Sequence, residues 1–266
     1  MTFSLRRPLA TLVLALGLVA PAAAQQAPTT TVADSGRFVI LDHGKPVANE
    51  AFEYDLSSDS LLVTAQHVRK LKAADGSSRV LIKKLGMIVD GFDFGLRSYT
   101  SNLEFDGHVT VRGILPGDTS MTVYTETDGA GDASRVVQPP GRLFVMDPLL
   151  FTLFDVIGKN IHGKTFTTRP IQLIALGKDA VPVEAQVTAN GPETVRWGGR
   201  SVVAERFTLT DPSSSFVMWV TDKGQMLRLE NAANELVVMR EPPPAPRRAA
   251  RVAPRRVTAK RPAPKR

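Results

Sequence analysis

The chain has no cysteine among its 266 residues. It therefore has no disulfide, no thiolate nucleophile or metal ligand, and no lipid-modified cysteine of the kind that anchors bacterial lipoproteins. Histidine is nearly as scarce, and aromatic residues make up only 6%. His43, His67, His108 and His162 never fall at a spacing that brings two ligands to one metal. Three of them sit beside glycine at turn positions, so all four are expected to face solvent, with no metal and no cofactor held. No GxSxG elbow exists for a serine nucleophile. Outside the first 24 residues the longest apolar run is Leu149–Ile157, with two polar interruptions. That is well short of the ~20 residues a membrane-spanning helix needs.

What is present begins at the N-terminus. Arg6-Arg7, the apolar run Leu9–Val19, Pro21 and then Ala22-Ala23-Ala24 have the order of a secretory signal peptide. Residues 1–24 are expected to be removed, leaving an exported, soluble protein, periplasmic or secreted and not lipid-anchored. The formal charge of +7 hides a polar distribution. The segment 241–266 carries +8 and the signal peptide +2, which leaves the body at −3. A mildly acidic body has no basic face for nucleic acid.

Residues 25–35 read as a disordered polar leader, and 241–266 as a disordered basic tail of Pro, Ala and Arg. Between them turn pairs recur, the nearest eight residues apart: His43-Gly44, Asp75-Gly76, Asp106-Gly107, Asp128-Gly129, Asn190-Gly191, Gly198-Gly199 and Lys223-Gly224. The intervening segments alternate, as in Val181, Val183, Ala185 and Val187 against Glu184, Gln186 and Thr188. Period two with one apolar face predicts a single antiparallel domain over 36–240, with roughly eleven or twelve strands. One segment departs from it. Asp147 as N-cap, Pro148 as first residue and Gly158 as terminator predict a helix over 148–157, apolar nearly all round and therefore buried. The fold class is all-β with one central helix: a curved antiparallel sheet or half-barrel.

From Val145 onward the pattern resembles a family of exported bacterial proteins classed as a domain of unknown function. The matching features are Asp147-Pro148-Leu149 opening an apolar helix, Gly163 before paired long strands, the Trp197-Gly198-Gly199-Arg200 hairpin, and Trp219 on a late strand. Such proteins are similar in outline to the periplasmic lipoprotein-carrier half-barrels. That resemblance implies an apolar cavity between helix and sheet and brings no catalytic residues.

Gly158-Lys159-Asn160-Ile161-His162-Gly163-Lys164-Thr165 matches the phosphate-loop pattern GxxxxGK[ST]. That loop works between a preceding strand and a following helix. Here a helix precedes and β-branched residues follow, so a helix-to-strand turn is expected and no nucleotide. Asp90 with Asp93, and Glu104 with Asp106, are the carboxylate pairs on which a hydrolase would rest; solvated turn residues are the plainer expectation. Aromatics cluster around the helix. Phe144, Met146, Leu150, Phe151 and Phe154 are the candidate lining for an apolar ligand, against the alternative of an ordinary core.

In the tail, Arg247, Arg248, Arg251, Arg255, Arg256, Lys260, Arg261, Lys265 and Arg266 are candidate contacts to an anionic envelope surface. Three functions follow in order: a non-enzymatic envelope protein binding an apolar or lipid-like ligand, an interaction module docking through its tail, and a carboxylate hydrolase.

Overall fold

The computed structural model describes residues 31–73 and 75–243. The expected signal peptide, residues 25–30 of the leader and the basic residues of the tail lie outside the described residues. The strands are β1 (Thr31–Asp42), β2 (Lys45–Leu56), β3 (Ser60–Lys72), β4 (Ser78–Asp90), β5 (Leu96–Phe105), β6 (His108–Leu115), β7 (Ser120–Thr127), β8 (Ala130–Val137), β9 (Leu143–Met146), β10 (Thr168–Leu176), β11 (Ala180–Trp197), β12 (Arg200–Thr210), β13 (Ser215–Val220), β14 (Met226–Asn231) and β15 (Leu236–Arg240). All belong to one sheet, ordered β8 through β1 and then β15 down to β9, so β8 and β9 are its edges.

The chain connection dictates the curvature. Flat, fifteen strands at ~4.8 Å would put the edges about 65 Å apart. Yet β8 reaches β9 through only Gln138–Arg142, a link that spans at most about 20 Å. The sheet must therefore roll until its edges approach, and it does so without closing. Arg112 on β6 donates to the Leu176 carbonyl of β10 at 3.1 Å, across the inside of the roll.

The helix fills the roll. Nine of the ten residues of α1 (Thr152–Ile161) are buried, and the inward side chains of both halves of the sheet meet it in one core. Its five apolar side chains, at ~2 kcal/mol each, contribute on the order of 10 kcal/mol of gross burial. Phe216, facing inward, packs on Phe154 with ring centroids 4.7 Å apart and planes tilted by 57°. Trp219 faces the opposite way into a small convex cluster with Ala204 and Leu227, its ring between the guanidiniums of Arg206 and Arg228 at 5.8 and 5.4 Å.

Several expectations are corrected. The helix lies four residues beyond the expected 148–157, because Leu149 takes a left-handed φ of 72° and Asp147 is engaged elsewhere. Gly158 is internal to the helix and Gly163, at φ 66°, follows its end. The sheet is not wholly antiparallel: β9 and β10 run parallel, and the segment through α1 is the long crossover that a parallel pair requires.

Among the described residues there are fifteen strands, not eleven or twelve, in part because the four residues of β9 are apolar without alternation. Asn190-Gly191 is no turn but a bulge within the 18-residue β11, where the register against β12 shifts between Ala189 and Gly191. The leader is not irregular throughout, since Thr31–Ser35 pair with β2. The start of the tail is likewise tied down: the Glu241 amide donates to the Arg37 carbonyl at 2.8 Å.

Candidate functional site

Strand alternation turns every second residue of β2, β3 and β4 toward the helix. Along these inward rows run Ala48, Phe52 and Tyr54, then Val63 and Ala65, then Leu85, Met87 and Val89, all buried. Three positions in the same phase are polar: Glu50, His67 and Lys83. They are direct register partners across the three strands and are 0%, 1% and 5% exposed. A buried charge is costly unless paired, so each must find its partner in the interior.

Glu50 finds the helix. Its carboxylate accepts the backbone amides of Phe151 and Thr152 at 2.9 and 2.6 Å, and the Thr152 hydroxyl at 2.5 Å. It thus satisfies amides that a helix start leaves open and sits where the helix dipole favours negative charge. The N-cap residue itself, Phe151, supplies no side-chain bond; a strand about a hundred residues away does the capping. Lys83 pairs with Asp147, which also accepts from Tyr99 and, at 2.9 Å, from the Ser101 hydroxyl. Burial pulls the Lys83 ammonium below its ordinary range, against the opposing pull of Asp147. Burial first, and then the Asp147 charge, pushes the Tyr99 phenol up.

His67 is the exception. Its Nδ1 lies 3.5 Å from Glu50 Oε2, and neither ring nitrogen makes a hydrogen bond. A buried donor or acceptor left unsatisfied costs about 1–3 kcal/mol.

On another side of α1, from its first turn to its last, the interior holds an ion network. Asp155, fully buried, accepts from Tyr54 Oη at 2.7 Å and from the Met226 amide at 2.6 Å. Lys159 and Arg240 lie 3.6 Å from it, and both bond Asp34, at 2.7 and 2.5 Å. Burial raises the Asp34 carboxyl, but the bond and charge of Lys159, followed by those of Arg240, outweigh it and leave it below its usual range. Burial, with the Asp155 charge behind it, drives the Tyr54 phenol up.

Between the start of the helix and the two halves of the sheet lies a cavity of about 430 Å³, within the ~300–1,000 Å³ range of small-molecule sites. Met146, Leu150, Phe151 and Phe154 line it on the helix side, and Val47, Ala48 and Phe216 on the sheet side. His67 reaches into it from β3, and Arg69, two residues on and so on the same face, lies nearer solvent. Exposed Pro148, Gly177 and Asn234 form part of its rim.

Of the five candidate lining residues, four meet here. Phe144 does not; it faces a second recess of about 680 Å³ at the seam between the sheet edges. Charged and backbone groups such as Arg142, Arg169 and Gln138 mark that recess as polar.

The other sequence candidates are scattered. Asp90 binds Arg97 at 2.8 Å, Asp93 binds Arg142 at 2.8 Å, Glu104 binds Lys84 at 2.9 Å, and Asp106 pairs with Arg79. Each carboxylate braces its own turn or strand pair, and neither sequence pair shares a site. The phosphate-loop match runs from the last turn of α1 into the loop before β10. Its first glycine is a packing position, since a Cβ on Gly158 would come within 3.2 Å of Val220 Cγ2.

His67 corrects the expectation that all four histidines face solvent. The missed residues, Glu50, His67 and Lys83, carry a signal that alternation could have exposed: a polar side chain in the apolar phase of a strand.

No protein-family profile matches the chain, and no curated protein matches it in sequence. Two solved structures are similar in fold. One is a β-barrel-like protein of the domain of unknown function DUF1849 from Brucella abortus, with TM-score 0.50 and 11% identity over 79% of this chain and 97% of that one. The other is a DUF1089 family protein from Pseudomonas aeruginosa, with TM-score 0.42 and 11% identity over 71% and 90% of the two chains. The first likeness shows that this chain has a β-barrel-like fold also found in a domain of unknown function.

Proposed function

We propose that the protein binds an apolar, lipid-like ligand without enzymatic turnover, in the cavity between the start of α1 and the rolled sheet. One observation carries this reading: an apolar space of about 430 Å³ remains beside the start of a helix that is itself buried along nearly its whole length. A core built only for stability fills such a space, because voids lose dispersion contacts. The half-open sheet with its enclosed helix has the outline of the lipoprotein carriers named above, which supports the same reading. The exposed carboxylates each serve a cation of their own, which favours binding over hydrolysis.

In this account residues 1–24 direct the protein to the cell envelope, and the tail's basic residues hold it at anionic surfaces. The test is solvent extraction of the purified protein followed by mass spectrometry, beside the variant Ala48→Phe, which fills the cavity. Lipid recovered from the wild type and absent from Ala48→Phe is expected; none from either overturns the proposal. Deleting 244–266 is expected to release the protein from anionic vesicles while leaving the extracted lipid unchanged. Loss of vesicle binding from a wild type that carries no lipid would favour the interaction module instead.

A further inference from the structure

The cavity's lining is mostly apolar, with Asp42, Ser214 and Asn231 among its polar members, and β3 sends two nitrogen-rich side chains into it. His67 is 1% exposed and neither of its ring nitrogens is hydrogen-bonded. Nδ1 is turned toward Glu50 at 3.5 Å, whose oxygens are occupied by the Phe151 and Thr152 amides. Nε2 has no partner either, but it is itself buried, so a ligand head meets it only when the ring turns. Arg69 has a buried Nε without a partner, and its nearest acid, Asp42, stands 3.7 Å from one terminal nitrogen. A guanidinium has five N–H donors in a planar fork, so most of its capacity is unspent. The acids deeper in the wall are already committed: Glu50 to the helix and Asp147 to Lys83, Tyr99 and Ser101.

We infer that this cavity selects a single-chain amphiphile with a carboxylate head, its chain among Leu150, Phe154 and Phe216 and its head on His67 and Arg69. The inference rests on the apolar-ligand reading above and adds the class of ligand. A planar carboxylate suits a guanidinium fork, and its bonds to charged donors are the strong kind. Size limits the chain. At about 430 Å³ the space lies toward the small end of ligand sites, which suits one chain of about a dozen carbons.

The experiment is equilibrium binding of sodium dodecanoate and of its methyl ester to the full chain, to Arg69→Gln and to His67→Leu, with folding checked by circular dichroism. The wild type is expected to prefer the acid to the ester by at least tenfold. Arg69→Gln is expected to bring that preference to within about twofold, His67→Leu to reduce it, and Arg69→Lys to keep part of it. Shortening the acid by one methylene is expected to weaken binding about fourfold. Acid and ester bound equally well, or a preference untouched by both variants, overturns the carboxylate assignment and leaves the apolar cavity standing. Neither compound bound, by a wild type that folds, overturns the apolar-ligand reading as well.

Discussion

Two sides of α1 are built from the same materials to opposite effect. On one, Asp155 in the first turn and Lys159 in the last join Asp34 and Arg240 in a buried ion network. On the other, Glu50 caps the helix start and Lys83 pairs with Asp147, but a cavity remains and His67 stays unsatisfied. A single helix is thus anchored along one side and left with room beside its start.

That contrast can be broken from the anchored side first. Asp155→Ala takes the acceptor from the Tyr54 hydroxyl and the Met226 amide, and a counter-charge from Lys159 and Arg240. Urea unfolding is expected to show a loss of about 3–5 kcal/mol, the range for removing one partner of a buried ion pair. Glu50→Ala opens two amides at the helix start and is expected to cost less, about 1–3 kcal/mol by the same measurement.

His67→Leu should go the other way. Replacing an unsatisfied buried imidazole by an apolar side chain is expected to leave stability unchanged or raise it by up to about 1 kcal/mol. A large loss there would mean that the open side is structural after all.

Acid sharpens the comparison further. The Asp34 carboxyl is held below its ordinary value of 3.8 in the folded state, so its contribution is complete above that pH. It is lost as pH falls through the lowered value, because the unfolded chain takes up the proton first. Thermal midpoints followed from pH 6 down to pH 2 should therefore fall more steeply for the wild type than for Asp34→Asn. The smallest effect is expected at Leu149, whose left-handed backbone costs about 1–2 kcal/mol. Leu149→Gly should recover roughly that strain, less the contacts of the lost side chain, in a urea titration.

The sheet was legible because alternation and turn chemistry are local. Asp106-Gly107 and Asp128-Gly129 do place φ above zero at both residues. Asn190-Gly191 carries the same letters but pairs on both sides as a bulge, since the long partner β12 continues past it. The helix was legible as buried but not in its limits. Asp147 has the chemistry of a cap, yet Lys83, Tyr99 and Ser101 claim its oxygens from strands over forty residues away. The cap that operates, Glu50, comes from β2, and no local pattern around residue 150 announces it.

Asp34 looked like part of a polar leader because its partners, Lys159 and Arg240, come from distant elements. Phe151 and Phe154 were readable as a cluster. That they border open space rather than fill it depends on the roll of the sheet, which composition does not encode.

The central claim, that the space beside Leu150 and Phe154 accepts an apolar chain, is tested most directly by titrating dodecanol into the wild type and into Ala48→Phe, both shown to be folded. Saturable one-to-one binding by the wild type, weakened at least tenfold in Ala48→Phe, is the predicted result. Equal binding by the two proteins would contradict it.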